Sequence, residues 1–100
     1  MNLPEPALID AAVQLLTAAA HRARLVVLVS LSRQGPMSAG ELQELAGLEQ
    51  TAMSHQLRML REANLISAQR EGRHVIYSLQ DEHVACIVED TLAHVAEGQT

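Results

Sequence analysis

The sequence has no phenylalanine and no tryptophan, and Tyr77 is its one aromatic residue. The core must therefore be built from Leu, Val, Ile, Ala and Met, which favours a mainly helical fold. A chain of 100 residues has room for one domain with a limited core, so a dimer would be a reasonable way to bury more apolar surface. Residues 1–100 are accordingly predicted to form a single domain.

Cysteine is almost absent as well, because Cys86 is the single one, and this excludes a disulfide within the chain. The N-terminal segment Met1-Asn-Leu-Pro-Glu-Pro lacks the basic region of a signal peptide. Arg22, Arg24 and Arg33 interrupt the apolar runs before any is long enough to cross a membrane. We therefore expect a cytoplasmic chain with no membrane partner.

Lysine is missing, and all seven basic residues are arginines. The formal net charge of −5 argues against indiscriminate binding to nucleic acid, because an acidic body repels phosphate at long range. Four of the arginines nevertheless fall close together in the sequence, at Arg58, Arg61, Arg70 and Arg73. Arginine suits bidentate contacts to phosphate or guanine, so this segment is the candidate for such contacts.

Two helices are predicted in the first third of the chain. Leu8, Ala12, Leu15 and Leu16 recur at helical spacing within residues 7–20. The apolar run in residues 25–31 predicts a buried second helix over residues 22–32, although its β-branched residues leave a strand possible.

Residues 38–63 are typical of a helix-turn-helix. Ser38 and Glu41 form a capping box for a short helix that Gly47 is placed to end. The next helix, over residues 50–63, has Met53, Leu57 and Leu60 on one face. Its opposite face carries Thr51, Ser54, His55 and Arg58, polar groups that could reach base edges and phosphates in a major groove. The alternative is an ordinary amphipathic helix with a solvated polar face.

Asn64 is predicted to end the preceding helix in a left-handed conformation. Apolar and polar residues then alternate over residues 65–79, as in a β-hairpin around Glu71-Gly72. With Glu71 and Gly72 as the loop, Ile66 would face Tyr77, Ala68 would face Val75, and Arg70 would face Arg73. The last pair places like charges opposite each other, a cost that a DNA phosphate would relieve. We therefore predict a two-stranded wing that contacts the DNA backbone.

The final helix, over residues 81–97, carries four candidate metal ligands. Asp81 is the predicted N-cap, and His83 and His94 lie three turns apart, about 16 Å along the axis, so one chain cannot bring both to one ion. An antiparallel pairing of this helix with its own copy would place Asp81 and His83 of one chain beside His94 and Glu97 of the other. Two imidazoles and two carboxylates suit a tetrahedral zinc ion. The alternative is that Asp81 caps, the histidines are interface polar residues, and Glu97 is a solvated charge.

Three passages resemble the ArsR/SmtB family of metal-responsive repressors: residues 53–65, residues 70–79, and Asp81-x-His83 with His94 and Glu97. The likeness runs from about Leu15 to Glu97. It implies a winged helix-turn-helix that dimerises through its first and last helices, binds an inverted-repeat operator without metal, and releases it when zinc binds.

The resemblance also assigns residues. It places Ser54, His55, Gln56 and Arg58 in the recognition helix, Arg70 and Arg73 in the wing, and Asp81, His83, His94 and Glu97 in the sensing site of the zinc-responsive subgroup. Glu49 stands where the family often has Ser, which weakens the expected cap and phosphate contact there. The short helix over residues 38–46 has no cysteine, which argues against sensing of arsenite, cadmium or lead through thiolates.

Several alternatives stay open. A nickel or cobalt sensor would need further ligands, with His21 as a candidate. A regulator without metal could sense oxidant through Cys86. An enzyme is disfavoured, since Cys86 with His83 lacks an orienting group and the chain is too short for a substrate cleft, and no small-molecule substrate is expected. A pure protein-interaction module would leave the arginine-rich wing unexplained.

Overall fold

The computed structural model describes residues 1–99, so Thr100, the last residue of the predicted domain, lies outside the described residues. This part of the chain contains five helices and three strands: α1 (Pro6–Ala19), α2 (Arg22–Gln34), β1 (Met37–Ser38), α3 (Ala39–Ala46), α4 (Gln50–Glu62), β2 (Ile66–Glu71), β3 (His74–Leu79) and α5 (Glu82–Gly98). The predicted order of helix, helix, helix-turn-helix, hairpin and final helix is confirmed.

Helix α2 lies at the centre of the fold. Its side chains Val27 and Leu28 have no exposed surface, and Leu31 has almost none. They pack in one cluster with Leu42 of α3, Leu57 and Leu60 of α4, and Val84 and Val88 of α5. The apolar run of α2 is therefore a buried helix, and the strand that its β-branched residues allowed is not formed.

Helix α1 begins with Pro6 in its first turn and contains no buried residue. Leu15, Ala18 and Ala19, all in its second half, are half-buried against the core. The chain then bends by 92° into α2. No single helix in residues 1–99 is long and apolar enough to cross a membrane. Helices α1 and α2 taken together have sufficient length and apolar composition, but the chain is bent between them.

The helix-turn-helix forms as the capping signals predict. The Ser38 side chain accepts a hydrogen bond from the Glu41 backbone, and the Glu41 carboxylate accepts one from the Ser38 backbone at 2.9 Å. These bonds, above all the one from the Ser38 backbone, lower the pKa of Glu41. Gly47 adopts the left-handed conformation that ends α3, and Asn64, with φ of 59°, does the same after α4.

The sheet has three antiparallel strands in the order β1-β3-β2. The third strand was not predicted, because β1 is two residues long and shows no periodicity that a sequence can reveal. Met37 pairs with Tyr77 and Ser38 pairs with Ile76. The two residues that lead into α3 are thus paired with the hairpin, which fixes the wing relative to α3.

The predicted hairpin register is wrong by two residues. Ile66 pairs with Leu79 and not with Tyr77, and Ala68 pairs with Tyr77 and not with Val75. Arg70 pairs with Val75 and not with Arg73. The loop consists of Gly72 and Arg73, so Arg70 and Arg73 do not face each other, and the predicted repulsion at the tip is absent.

Glycine explains this register. Gly72 has φ of 63°, and Arg73 is not among the described residues with positive φ. A two-residue turn with glycine first and an ordinary residue second is a type II′ turn, whose twist suits a hairpin. Because the shift is by two residues, each side chain keeps its face of the sheet, and Ile66, Ala68 and Tyr77 remain on one side.

Helix α5 begins at the predicted cap, where the Asp81 side chain accepts a hydrogen bond from the Val84 backbone at 3.2 Å. It is joined to α2 by a polar cluster on Glu89. Ser32 donates to the Glu89 carboxylate at 2.8 Å, and Arg33 donates to both of its oxygens at 3.1 and 3.3 Å. These hydrogen bonds, first the one from Arg33, lower the pKa of Glu89.

Replacement of Gly72 by alanine should destabilise the fold by about 1 kcal/mol, because a Cβ disfavours positive φ. Gly40→Ala in α3 is the matched control. Its φ is not positive, and an added Cβ would meet only the Ser38 Oγ at 4.0 Å, so stability should hold or rise by up to about 1 kcal/mol. Urea unfolding measures both variants. Equal stability of Gly72→Ala and the parent chain would contradict a type II′ turn.

Replacement of Glu89 by glutamine should lower the melting temperature at neutral pH by a small amount, since the pair is partly exposed. The pKa of Glu89 is lower in the folded chain, so its contribution is full above the ordinary value of 4.5 and is lost as the pH falls through the folded-state pKa. The difference between variant and parent should therefore vanish in acid. Glu44→Gln on α3 is the control, and a difference that persists in acid would contradict the ionic link.

Candidate DNA interface and metal-ligand helix

The two faces of α4 separate as predicted. Met53, Leu57 and Leu60 are buried in the core. The opposite face is exposed and carries two hydroxyls, an imidazole and a guanidinium, from Thr51, Ser54, His55 and Arg58. Since α4 is the second helix of the helix-turn-helix, this is the face that can enter a major groove.

The start of α4 presents free backbone donors. Glu49 is the N-cap residue, and its side chain makes no capping hydrogen bond. The first N–H groups of the helix therefore have no side-chain acceptor and, with the positive end of the helix dipole, can bind a phosphate. The Glu49 carboxylate lies at the same end, where its charge opposes an approaching anion.

The wing places two arginines near its tip. Arg70 lies on β2 opposite Val75, and Arg73 is the second loop residue; both side chains are exposed. Within residues 1–99, neither they nor Arg58 form an ion pair. These guanidinium groups are thus available for phosphate oxygens. The wing has basic character even though the predicted opposition of Arg70 and Arg73 is absent.

Gln56 lies away from the exposed face of α4. It is half-buried, and its side-chain carbonyl oxygen accepts a hydrogen bond of 2.8 Å from the Nη1 group of Arg24. The sequence assigned Gln56 to the recognition helix by resemblance and gave Arg24 no role beyond the interruption of an apolar run. The sequence could have indicated that Arg24 is buried, because it shares a helical face with the apolar residues Val27, Leu28 and Leu31.

The four predicted metal ligands lie at the two ends of α5. Asp81 and His83 are side by side at its start, with 3.6 Å between Oδ1 and Nδ1. His94 and Glu97 are exposed in its last turns. Within residues 1–99, no three His, Cys, Asp or Glu side chains come together around one point, which agrees with the distance along a helix of this length.

The donor groups at each end fit a metal ion. The His83 side chain is 94% exposed, so its imidazole can turn toward an incoming ion. Asp81 caps α5 through Oδ1, which leaves Oδ2 as a second oxygen for coordination. Each end thus carries one imidazole and one carboxylate, the donor types that half of a tetrahedral zinc site would need. Cys86 is also exposed on α5 as a free thiol.

Both terminal helices expose apolar surface. The exposed large side chains include Leu8, Ile9, Val13 and Leu16 of α1, and Ile87 and Val95 of α5. A groove between α2 and α5 adds further apolar lining, which includes Leu25, Val26, Val29 and Leu92. Apolar surface of this extent on a small domain is typical of a protein interface.

Comparisons with known proteins agree with this architecture. A family described as a helix-turn-helix domain matches residues 19–67. The chain is similar to the HTH-type transcriptional regulator NmtR of Mycobacterium tuberculosis, with 44% identity over 79% of this chain and 65% of that protein. It is also similar to the HTH-type transcriptional repressor SmtB of Mycobacterium tuberculosis, with 35% identity over 94% of this chain and 69% of that protein.

The chain spans about two thirds of the length of these two relatives. Among solved structures, it is similar to the homodimeric winged helix-turn-helix DNA-binding domain of Mb0332 from Mycobacterium bovis, a possible ArsR-family transcriptional regulator. The TM-score is 0.87 at 26% identity, and the match covers 99% of this chain and 94% of that one. With the five helices, the wing and the likeness to the SmtB repressor, these matches show that the chain belongs to the ArsR/SmtB family of winged helix-turn-helix regulators.

Proposed function

We propose that this chain is a metal-responsive transcriptional repressor whose metal-free homodimer binds operator DNA and releases it when zinc binds between the two α5 helices. The observation that carries the proposal is the distribution of groups on α5. Helix α5 exposes the apolar side chains of Ile87 and Val95 and carries one histidine and one carboxylate of the predicted ligand set at each end. A second copy is what can complete both the apolar packing and the ligand sets.

The dimer follows from a two-fold axis. An antiparallel α5 pair places the start of one helix beside the end of the other, so each half-set meets its complement and two equivalent sites result. The exposed side chains of α1 and the groove between α2 and α5 offer further apolar surface for the same interface. The homodimeric state of the similar Mb0332 domain supports a dimer of this fold.

Operator binding would use α4 and the wing. Thr51, Ser54, His55 and Arg58 would face the major groove, while Arg70 and Arg73 would contact the backbone beside it. Because the chain is acidic overall, long-range attraction to DNA is weak, and binding depends on these few local contacts. Two symmetric copies suit an operator with two inverted half-sites.

Zinc would be held by Asp81 and His83 of one protomer with His94 and Glu97 of the other. Bound zinc would supply a fixed tetrahedral connection between the two helices. The residues of α5 would then hold the protomers in one relative arrangement, while DNA selects another. Linkage is reciprocal, so metal and DNA must weaken each other by the same factor, commonly about 5–150-fold.

Nickel or cobalt could serve the same dimer if further ligands raised the coordination number. His21, the N-cap residue of α2, is exposed and is the candidate among the remaining histidines. A redox regulator that uses the exposed thiol of Cys86 is the alternative without metal. Both alternatives keep the fold and the DNA interface, so one titration can compare all three.

The deciding experiment is a titration of the chain on a labelled operator with zinc, cobalt or nickel, read by anisotropy and reversed by a chelator. Zinc should weaken binding of the parent chain at least about fivefold, with two ions bound per dimer. His94→Ala should lose this response and keep metal-free binding. His21→Ala, a matched exposed histidine, should respond to zinc like the parent.

Retained zinc release by His94→Ala would count against the site on α5. A response to nickel that needs His21 would favour the alternative metal. If every metal fails and oxidation releases the DNA from the parent but not from Cys86→Ser, the redox alternative replaces the metal proposal.

A second prediction concerns the wing. Arg73→Gln should weaken binding by a similar factor on all operator sequences, and the slope of log affinity against log salt should fall by about one unit. Arg33→Gln removes the same charge from the side of α2 that faces α5 and, once sedimentation shows that it is still a dimer, should leave the slope unchanged. An unaltered slope in Arg73→Gln would mean that the wing tip does not contact phosphate.

A further inference from the structure

Arg24 is the one buried charged residue among the described residues, with 8% of its surface exposed. Within residues 1–99, no ion pair joins its guanidinium to a carboxylate. It donates from Nε to the Ala18 backbone carbonyl, and from Nη1 to the Gln56 carbonyl oxygen at 2.8 Å and to the Met59 sulfur at 3.2 Å. The cation thus sits at the C-terminal end of α1, where the helix dipole favours positive charge.

This chemistry fixes the orientation of the Gln56 amide. A guanidinium can only donate hydrogen bonds, so the group that faces it must be the carbonyl oxygen of the amide and not its NH2 group. Bidentate recognition of adenine by glutamine needs that oxygen as well as the NH2 group. Gln56, half-buried and with its acceptor bound, is therefore poorly suited to read a base.

The same contacts connect three helices. Arg24 belongs to α2, Ala18 lies near the end of α1, and Gln56 lies in the middle of α4. Helix α1 has no buried residue, and its half-buried contacts are confined to its second half. Apolar packing alone therefore constrains α1 weakly. Directional hydrogen bonds from one buried guanidinium give α1 and α4 a defined relative position.

We propose that Arg24 and Gln56 are positioning residues that hold the recognition helix α4 relative to α1, and so set the spacing of operator half-sites that the dimer accepts. The inference rests on the proposed function, in which α1 contributes to the dimer. In such a dimer the path from one α4 to the other runs through the two α1 helices and the α5 pair. Loss of the hydrogen bond between Arg24 and Gln56 would let the two recognition helices adapt to altered half-site spacings.

The test uses a duplex with two inverted half-sites, selected from random DNA by the parent chain, and the same duplex with one base pair added to or removed from the spacer. A duplex with one half-site reports the local DNA contacts. The parent should lose at least about tenfold in affinity on the altered spacers, the order of one lost base contact. Gln56→Leu should reduce that loss to about threefold or less, with unchanged affinity for the single half-site.

Two variants control this result. Gln56→Glu keeps an acceptor for Arg24 and should show the same spacing preference as the parent. His55→Ala removes a group on the exposed face of α4 and should weaken single and paired half-sites without changing the preference. If Gln56→Leu does not fold because Arg24 is left unsatisfied, Arg24→Met/Gln56→Leu replaces both partners by apolar groups and should show the same loss of preference.

A folded Gln56→Leu or Arg24→Met/Gln56→Leu chain with the spacing preference of the parent would overturn the inference and leave the proposed repressor intact. Loss of single half-site binding in Gln56→Leu would also overturn it, because Gln56 would then contact DNA directly. If the parent chain sediments as a monomer and shows no spacing preference, the proposed dimeric function and this inference fail together.

Discussion

The burial of α2 is the constraint on which the other elements depend. A helix with no exposed surface at Val27 and Leu28 needs partners on several sides, and α3, α4 and α5 all contribute side chains to its cluster. The two ends of α2 carry the polar contacts, with Arg24 at one end and Ser32 and Arg33 at the other. Apolar packing therefore holds the helices together, while polar groups at the ends of α2 fix their positions.

This division explains how one small domain can present two separate surfaces. Helix α4 buries the stripe of Met53, Leu57 and Leu60 and exposes the opposite face, while α5 buries Val84 and Val88 and leaves apolar residues and the predicted ligand groups outside. The two surfaces have no side chain in common and meet through α2. In the proposed dimer, a change in the packing of α5 would thus reach α4 through a rigid helix and its polar ends, as coupling between distant sites requires a connected element with two arrangements.

Local signals made most of the fold predictable. The capping box at Ser38, the left-handed Asn64 and the apolar stripe of α4 depend on residues within a few positions of each other, and all three are confirmed. The hairpin register failed because Gly72 was placed second in the turn; glycine first gives the type II′ geometry. The α2 face shared with Val27 and Leu28 could have indicated that Arg24 is buried, but its partner Gln56 is 32 residues away in the sequence. The predicted metal ligands depend on a second chain, so one chain can only place them at opposite ends of a helix.

The charge distribution determines what such a dimer can discriminate. With a net charge of −5 per chain, each protomer has little general attraction for DNA, so we expect a single half-site to hold it weakly. When two half-sites are joined through a rigid dimer, the second contact forms at high effective concentration, and affinity rises steeply if the geometry matches. The gain in affinity is lost when the geometry no longer matches. In the proposed dimer, a small change in the distance between the two α4 helices would remove the benefit of the second half-site, so release from the operator would need no disruption of either α4 surface.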